Sequence, residues 1–409
     1  MSFYISHIST ADSSGGSAVS ANRIHRKLIE NKIYSKIFTG IRSQENTSVN
    51  YLTKYRLLRY VDNYYNILSN KFGFQYDFIP SNLFLNKELK KTNIFQFYNL
   101  HGGFFSLGTI KKLSKIAPII LRFSDYWPLT GHCAYPGDCS KWKKICTECP
   151  NLSTYPSIGL DQTQRLWKKK KKIFSNIDIT LIVPTQKMYN EVKNSLFFKN
   201  KEIYKIPNGI DINSFFFEDK TFAKKSLKIP NIFTVLFIAH VAFNNYRKGT
   251  HLLERLLNKF KDEKNIQFLI VGNDSFKWRK LGYKNIYTYD FTENIKEKKL
   301  IFCASDCKIL TSINENFPNV ILESMACGTP VVAFESGGIK EIISNDNGML
   351  VEKENIEKME DNIRHLKKNY SLFKKLSSNA MKTIKAEFSS EVEIKKYIQI
   401  YKNILKKSK

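Results

Sequence analysis

The sequence predicts an α/β protein built from two parallel-sheet halves. Short apolar runs alternate with helix-like stretches along the chain, which is typical of βαβ units. A chain of 409 residues is too long for one ordinary core, and its 42% hydrophobic content is enough for packed domains. The runs form two sets that meet near EIYKIPNGID (202–211). We therefore expect two facing sheets with a cleft between them and ligands at the carboxyl ends of the strands.

The N-terminal half is predicted to start with a strand, a glycine loop and a helix, at FYISHIS (3–9), SSGGSA (13–18) and 18–31. Apolar runs bounded by polar residues predict further strands at NIFQFYNL (93–100), PIILRFS (118–124) and ITLIVPT (179–185). Between them lies YLTKYRLLRYVDNYYNILSNKFGF (51–74), a segment with helical spacing that is rich in aromatic and basic residues.

The C-terminal half repeats this alternation. Its predicted strands are TVLFIAH (234–240), NIQFLIVG (265–272), CKILTSI (307–313) and TPVVAF (329–334). The lysine-rich segment over 371–409 has a helical pattern. These patterns predict an N-terminal domain over 1–202, a C-terminal domain over 203–388, and a last helix over 389–409 that packs back on the N-terminal domain.

The chain is strongly basic, with 65 Lys and Arg against 37 Asp and Glu and a net charge of +28. Such a field favours nucleic acid, an anionic membrane surface or phosphorylated small molecules. Because lysine is abundant throughout, the charge alone selects none of these partners. No stretch approaches the roughly 20 apolar residues of a membrane span, and MSFYISHIST lacks the basic start of a signal peptide. We expect a cytosolic chain whose cysteines are reduced unless some bind metal.

The stretch NENFPNVILESMACGTPVV (314–332) places two carboxylates around an apolar run. Pro318 suits the first turn of a helix, so a helix is predicted from near Phe317. Glu315 then lies just outside the helix start, and Glu323 lies about a turn and a half inside. Free amides at a helix start bind a diphosphate or sugar hydroxyls. A solvated surface helix explains neither the proline nor the apolar neighbours, so we interpret the stretch as a ligand site.

Gly15 and Gly16 follow the first predicted strand and open the first helix. Without side chains they let backbone N–H groups approach a phosphate. The spacing is not G-x-G-x-x-G, and a tight turn without a ligand explains the pair equally well.

Together these residues resemble a known family. ENFPNVILE, ACGTPVV and the following SGG (336–338) are similar to the E-x7-E donor motif of retaining, nucleotide-sugar-dependent glycosyltransferases of family 4. That family has two facing Rossmann-like domains, the GT-B fold. Gly15-Gly16, IPNGID (206–211) and RKG (247–249) match it in the same order. The resemblance spans most of the chain and is stronger in the C-terminal half.

The resemblance implies a donor site in the C-terminal half. Glu315 would lie towards the reacting sugar, and Glu323 would accept bonds from ribose hydroxyls. Arg247 and Lys248 would bind the diphosphate and stabilise the leaving group, so no catalytic metal is expected. The other donor-binding residues that it implies are Gly15, Gly16, Asn208, Asn316, Phe317, Pro318 and Asn319.

The predicted activity is transfer of a sugar from a UDP- or GDP-sugar to a lipid-linked or growing surface glycan, with retention of configuration. In the mechanism that the family favours, the leaving phosphate receives the acceptor's proton. One alternative is a sugar-nucleotide epimerase or glycan phosphorylase of the same fold. Another is a basic zinc-containing nucleic-acid-binding protein, but no recognised binding module is present, so we expect no nucleic-acid partner.

The segment 123–156, FSDYWPLTGHCAYPGDCSKWKKICTECPNLSTYP, is rich in cysteine. It resembles an insertion in colanic-acid-type and other surface-polysaccharide glycosyltransferases. Its candidate ligands for a structural zinc are Cys133, Cys139, Cys146 and Cys149. The first pair is widely spaced and His132 is a possible substitute ligand, so reduced cysteines packed in a loop remain the alternative. Cys303, Cys307 and Cys327 lie on apolar faces and are predicted to be core residues.

His101 in NLHGG and Asp125 follow neighbouring predicted strands. A lone histidine is often a core residue, but a strand end followed by two glycines favours contact with acceptor or donor hydroxyls. The family usually carries a second histidine directly before the aspartate, where this chain has Ser124. The resemblance therefore implies a catalytic role for His101 and, more weakly, for Asp125.

The run RLWKKKKKIF (165–174) contains five consecutive lysines beside aromatic residues. With the 51–74 segment it predicts contact with anionic lipid, worth roughly 1 kcal/mol per lysine. A solvated helix face is the alternative. We expect a protein that is peripheral on the inner face of the cytoplasmic membrane.

Overall fold

The computed structural model describes residues 3–13, 15–43, 47–55 and 57–407, which form two compact units. Unit 1 comprises Met1–Pro207 with Glu393–Lys409, and unit 2 comprises Asn208–Val392. Both divisions lie a few residues later in the chain than the boundaries that the sequence predicted. The first residues of MSFYISHIST, Ser14 of the glycine loop, Arg56 and the last two lysine-rich positions lie outside the described residues.

Unit 1 contains a seven-stranded sheet whose strand pairs are all parallel, in the order β3-β2-β1-β4-β5-β6-β7. The strands are β1 (Tyr4–Ala11), β2 (Tyr34–Ile41), β3 (Val49–Tyr51), β4 (Ile94–Phe97), β5 (Ile119–Arg122), β6 (Ile179–Val183) and β7 (Ile203–Lys205). The helices are α1 (Gly16–Glu30), α2 (Leu58–Lys71), α3 (Leu107–Leu113), α4 (Thr163–Ser175) and α5 (Gln186–Lys193).

Unit 2 contains a six-stranded parallel sheet in the order β10-β9-β8-β11-β12-β13. Its strands are β8 (Phe233–Ile238), β9 (Ile266–Val271), β10 (Ile286–Tyr289), β11 (Cys307–Leu310), β12 (Val331–Phe334) and β13 (Met349–Val351). Its helices are α6 (Lys220–Ser226), α7 (Thr250–Lys259), α8 (Phe276–Arg279), α9 (Ile295–Cys303), α10 (Asn319–Ala326), α11 (Ile356–Lys368) and α12 (Tyr370–Glu387). The last helix, α13 (Ser390–Lys407), follows.

All eight strands that the sequence predicted are present, and the α/β class with two parallel sheets is confirmed. The sequence missed β2 and four further strands, β3, β7, β10 and β13. Those four form the edges of the two sheets, where one side is exposed and no continuous apolar run is needed. The predicted helix over 51–74 is shorter, because β3 occupies its first residue and α2 begins only at Leu58.

Helix α13 is part of the core of unit 1. Its apolar residues Ile394, Tyr397 and Tyr401 pack in one cluster with Ile5 of β1 and Ile24 of α1. Buried polar contacts also fix it. Arg23 pairs with Glu393 at 2.8 Å, and Nε of Arg122 donates to the Tyr397 hydroxyl at 2.9 Å. The last residues of the chain therefore complete the domain that its first residues begin.

Each sheet has a point where its strand order reverses, between β1 and β4 in unit 1 and between β8 and β11 in unit 2. Loops that leave neighbouring strands in opposite directions open a crevice there, which is where open parallel sheets bind ligands. Gly15 and His101 follow β1 and β4, whereas Arg247 and Glu315 follow β8 and β11. The predicted site residues thus lie at the two reversal points. Among the described residues, no helix is long and apolar enough to cross a membrane.

Candidate active site

In unit 2, Glu315 lies against the basic pair that follows β8. Nζ of Lys248 is 2.5 Å from its Oε1, and Nη1 of Arg247 is 3.5 Å from the same oxygen. Burial of Glu315 opposes its charge, but Lys248 and Arg247 outweigh that effect and hold the pKa of the carboxyl below its ordinary value. Arg247 and Lys248 keep 32% and 21% of their side-chain surface exposed. The structure brings together three residues that are 67 and 68 positions apart.

Two glycines allow these loops to close. Gly249, directly after the basic pair, has φ of 68°, and a Cβ there would lie 1.9 Å from the Thr311 carbonyl oxygen. Gly337 in SGG has φ of 57°, and its Cβ would lie 1.6 Å from the Glu315 carbonyl oxygen. A side chain is therefore excluded at both positions, by sterics and by the left-handed backbone. This explains why RKG and SGG flank the acidic motif.

The helix after Glu315 begins two residues later than predicted. Helix α10 starts at Asn319, and Pro318 is its N-cap with φ of −77° and ψ of 115°, not a residue of its first turn. The proline ring fixes φ of Pro318, but its ψ is extended, so the helical backbone begins only at the next residue, Asn319. Nδ2 of Asn208 donates to Oδ1 of Asn319 at 2.7 Å, which ties IPNGID to the helix start. Asn316 and Phe317 are buried in the same loop.

Glu323 lies in the second turn of α10 and is 3% exposed. Its Oε1 accepts a bond from Nζ of Lys298 on α9 at 2.8 Å. Its Oε2 is buried without a hydrogen-bond partner among the described residues. A buried carboxylate oxygen without a donor is costly, so the site is suited to a ligand hydroxyl. Lys298 was missed by the sequence analysis, because a lysine in the lysine-rich α9 carries no distinguishing signal.

Lys308 was also missed. It lies within β11, is fully buried, and its Nζ donates to the Ile309 carbonyl at 3.3 Å. Burial lowers its pKa to about 7, helped by the charge of Lys248 and opposed by Glu315 and Glu323. A lysine inside the apolar run CKIL was the signal that could have found it. It places a third amine beneath the two carboxylates.

In unit 1, His101 and Asp125 form a buried pair. Nε2 of His101 lies 2.8 Å from Oδ2 of Asp125, and the two residues are 4% and 3% exposed. The second carboxylate oxygen accepts the backbone N–H of Trp127 at 2.9 Å. Ser124, in the position where the family usually has histidine, donates to the hydroxyl of Ser17 in α1 at 3.1 Å. The predicted residues therefore meet, although the pair is inward-facing.

Gly15 is the N-cap of α1, with φ of 86°, and a Cβ there would have no neighbour within 4 Å. Gly16 is the first residue of the helix. Backbone conformation therefore requires glycine at Gly15, whereas close packing does not. This geometry is consistent with both the phosphate loop and the tight turn that the sequence left open.

The described residues contain no group of three or more His, Cys, Asp or Glu side chains arranged to hold a metal ion. The closest sulfur contact of His132 is to Cys149, 3.4 Å from its Nε2. Burial raises the pKa of Cys133 to about 12 and that of Cys146 to about 11 in the absence of a metal ion. The four-cysteine zinc site has no support from this geometry and stays a prediction. The three other cysteines are buried, as predicted: Cys303, Cys307 and Cys327.

The five-lysine run in α4 is not a uniform solvated face. Lys170 is buried, with its Nζ 2.7 Å from the Trp127 carbonyl oxygen, 3.1 Å from that of Thr130 and 3.6 Å from the Trp127 ring centroid. Lys169 pairs with Asp77 at 2.5 Å. Two of the five lysines therefore serve the fold of unit 1. Lys168, Lys171 and Lys172 line an open groove.

Known proteins resemble this chain in sequence and in fold. Residues 219–383, which lie within unit 2, match the family Glycosyl transferases group 1. The chain is 21% identical over 322 residues, 76% of each chain, to an Escherichia coli protein named as a colanic acid biosynthesis glycosyl transferase, WcaC.

Two solved structures share the fold over nearly the whole length. Sucrose-phosphate synthase from Thermosynechococcus elongatus aligns with a TM-score of 0.70 and 16% identity, over 98% of this chain and 99% of the other. HepE of Anabaena, solved in complex with UDP-glucose, aligns with a TM-score of 0.69, 16% identity and the same coverage. The fold is therefore GT-B, with two Rossmann-like domains.

Proposed function

We propose that this protein is a retaining glycosyltransferase that moves a sugar from a UDP- or GDP-sugar to a lipid-linked or growing cell-surface glycan. The observation that carries the proposal is the pair of buried carboxylates in unit 2, Glu315 held by Lys248 and Arg247, and Glu323 with one oxygen left without a donor. The match of residues 219–383 to Glycosyl transferases group 1 supports it.

The diphosphate of the donor would take the place of Glu315 as a partner of Arg247 and Lys248. Both cations are partly exposed, so an anion can reach them without moving the core. As the sugar–phosphate bond breaks, negative charge grows on the leaving phosphate, and fixed cations stabilise that charge more than they stabilise the ground state. No metal is required for this step.

The ribose of the donor would lie at Glu323. Its unpartnered Oε2 is a hydrogen-bond acceptor, and the two vicinal ribose hydroxyls are donors. Lys298 holds the other oxygen and so keeps the carboxylate in a fixed orientation. In the proposed reaction the leaving phosphate accepts the acceptor's proton, and the same-face transfer retains configuration.

Binding of UDP-, GDP- and ADP-sugars to the purified protein tests the proposal, because a ligand of the folded state raises its melting temperature. We expect stabilisation by one UDP- or GDP-sugar, lost in Glu323→Gln and kept in Glu335→Gln, an exposed acid near the same sheet edge. Release of UDP or GDP only in the presence of a glycan acceptor would identify transfer. Release that requires inorganic phosphate, or conversion of the sugar without acceptor, would favour the phosphorylase or epimerase.

We also propose that unit 1 contacts an anionic membrane surface through α2. This helix is inverted: its buried residues Asp62, Asn66 and Ser69 are polar, whereas apolar side chains lie on its exposed face. Tyr60 and Ile67 are 75% and 68% exposed. Aromatic and aliphatic side chains on one helix face suit the interface between water and lipid. The exposed apolar residues of α2 are Tyr60, Val61, Tyr64, Ile67 and Leu68, with Leu57 exposed directly before the helix; Asn63 and Lys71 are exposed polar residues of the same helix.

The basic side chains near α2 make anionic lipid the fitting partner. Arg59 lies on the helix, and Arg165 of α4 packs over the Phe74 ring just after it, 4.7 Å from the centroid. Lys168, Lys171 and Lys172 of α4 line a separate groove and add to the positive charge of unit 1. Each lysine near an anionic surface contributes roughly 1 kcal/mol.

Co-sedimentation with vesicles tests this contact. We expect binding to vesicles that contain anionic lipid, weaker binding to neutral vesicles, and at least a tenfold loss in the double variant Tyr60→Ser and Tyr64→Ser. The matched control is Tyr370→Ser, which removes a tyrosine that is 67% exposed in unit 2. Equal sedimentation with both lipids, or an equal loss in the control, contradicts the proposal.

A further inference from the structure

A hydrogen-bond chain that starts at Asp125 continues beyond His101. Nδ1 of His101 lies 3.3 Å from the hydroxyl of Tyr155, and its Nε2 lies 2.8 Å from Asp125. Because a carboxylate only accepts, Nε2 carries a proton, and in that tautomer Nδ1 accepts the Tyr155 O–H. The Tyr155 ring also packs edge-on against the imidazole, at 5.3 Å between centroids. The chain therefore runs in one direction, from phenol to carboxylate.

Exposure differs sharply along this chain. His101 and Asp125 are 4% and 3% exposed, whereas Tyr155 is 58% exposed. Both ring nitrogens of His101 already have partners, and so do both oxygens of Asp125, the second through the Trp127 N–H. A ligand that arrives from solvent therefore meets Tyr155 and not the two buried residues.

The Cys-rich segment (123–156) holds Tyr155 in place by its backbone. The Tyr155 carbonyl accepts the N–H of Ala134 at 2.8 Å. The next carbonyl, of Pro156, accepts Nε2 of Gln75 at 3.0 Å and lies 3.0 Å from Nδ1 of His132. These bonds link Tyr155 to residues 21 to 81 positions away, so its position is set by the folded segment and not by a free loop.

We propose that Tyr155 is the residue of unit 1 that touches the glycan acceptor, and that His101 and Asp125 are positioning residues that act through it. The inference rests on the proposed glycosyltransferase function and names the residue that its acceptor side uses. In this proposal the role of the Cys-rich segment is to position the Tyr155 side chain.

The direction of the chain defines the chemistry of recognition. The Tyr155 O–H donates inward to His101, so its oxygen lone pairs face outward and accept a bond from a sugar hydroxyl. Desolvation of the hydroxyl beside His101, together with the charge of Asp125, raises the pKa of Tyr155, so the phenol stays protonated at neutral pH although most of the ring is exposed. Its exposed ring offers an apolar surface to the C–H groups of a sugar. The site therefore fits a neutral polyol such as a glycan terminus.

Steady-state kinetics of Tyr155→Phe test the assignment. We expect the acceptor KM to rise about tenfold, with the donor KM and the donor-induced rise in Tm unchanged. The matched control is Tyr126→Phe. Tyr126 lies in the same Cys-rich segment, and the change removes its 2.5 Å hydrogen bond to Glu191. An unchanged acceptor KM in Tyr155→Phe, a change in donor KM instead, or the same rise in the control overturns the proposal.

A second measurement is independent of glycosyl transfer. In protein labelled with 15N-histidine, the His101 ring signals are identified by their loss in His101→Gln. We expect Tyr155→Phe to shift the Nδ1 signal of His101 and no other histidine. If the wild type transfers no sugar, the proposed function fails, while an unshifted Nδ1 signal separately overturns the hydrogen-bond chain.

Discussion

The two units place polar side chains at the same point of a parallel sheet and hold them by different means. In unit 2, Glu315 and Glu323 are fixed by the amines of Lys248 and Lys298, at 2.5 and 2.8 Å. In unit 1, the corresponding edge carries a chain of directed hydrogen bonds through His101, at 2.8 and 3.3 Å. Ion pairs suit a ligand that brings its own charge, whereas a directed chain ends in one acceptor that suits a hydroxyl. The difference predicts separate tasks for the two units.

The largest expected effect on activity comes from removing one of the ion-paired amines of unit 2. Lys248→Met removes the amine that stabilises the leaving phosphate, so we expect turnover to fall roughly 100- to 1000-fold. Lys340→Met, which removes an exposed lysine paired with Glu335 at 3.4 Å, is the control and should keep wild-type turnover. Melting curves of both variants separate lost chemistry from lost folding, because Glu315 loses its nearest partner. Wild-type turnover in folded Lys248→Met would refute the ionic role.

The next largest effect is expected from disrupting the hydrogen-bond chain through His101 in unit 1. Asp125→Asn replaces a carboxylate oxygen with a donor amide and disrupts the orientation of His101, so kcat/KM for the acceptor should fall about 30-fold. Nucleotide binding should not change, since that site lies in unit 2. Asp77→Asn, which breaks surface pairs with Arg165 and Lys169, serves as the control. If Asp125→Asn abolished nucleotide binding, the two tasks would not be separate.

A smaller effect concerns the glycines that close the unit 2 site. The reference is Gly282→Ala, outside the site in the turn after α8, which should cost about 1–2 kcal/mol of unfolding free energy, because φ is 82° and the added Cβ meets nothing within 4 Å. Gly337→Ala carries the same backbone cost and also drives a Cβ into the Glu315 carbonyl oxygen. We expect it to be at least about 1 kcal/mol more destabilising and to weaken nucleotide binding. Urea unfolding of the two variants measures the loss of unfolding free energy in each. Equal losses would show that the loop around Gly337 relaxes to accommodate the added Cβ.

The smallest effect compares two buried lysines, one in each unit, whose pKa burial lowers to about 7. Between this value and about 10.5, the unfolded chain binds a proton that the folded chain does not, so stability rises with pH. Each lysine raises the free energy of unfolding by up to about 1.4 kcal/mol per pH unit in that window. Below about pH 7 both states bind the proton, so the pH dependence vanishes and the cost of the buried charge is greatest.

Substitution separates the two. Lys308 has one weak carbonyl partner, so Lys308→Met should be neutral or stabilising at pH 7 and should reduce the rise in urea midpoint between pH 7 and 9. Lys170 satisfies two carbonyls, so Lys170→Met should destabilise despite losing the same charge. A pH dependence identical to wild type in Lys308→Met would show that its amine is charged at both pH values.

Central strands of both sheets could be predicted because they are buried on both faces and read as continuous apolar runs. Edge strands such as β10 could not, since only one of its four residues is fully buried and the other three are partly exposed. The site residues could likewise be predicted only where a local sequence pattern contains them. Glu315 and Glu323 lie within one short motif, whereas Tyr155 reaches His101 from 54 positions away through bonds that no local pattern encodes. Lys308 interrupts the apolar run CKIL and could have been noticed, but a single cation does not alter the strand pattern, so the strand was predicted without a role for its lysine.

Helix α13 has a consequence for how the chain folds as it is synthesised. Arg23 and Arg122 are buried, and their partners Glu393 and Tyr397 leave the ribosome only after all of unit 2. Until then one face of the first sheet lacks its apolar cover. We therefore expect the half that is translated second to reach its native state first, while the half translated first waits, open and in need of chaperone protection, for the final turns of helix.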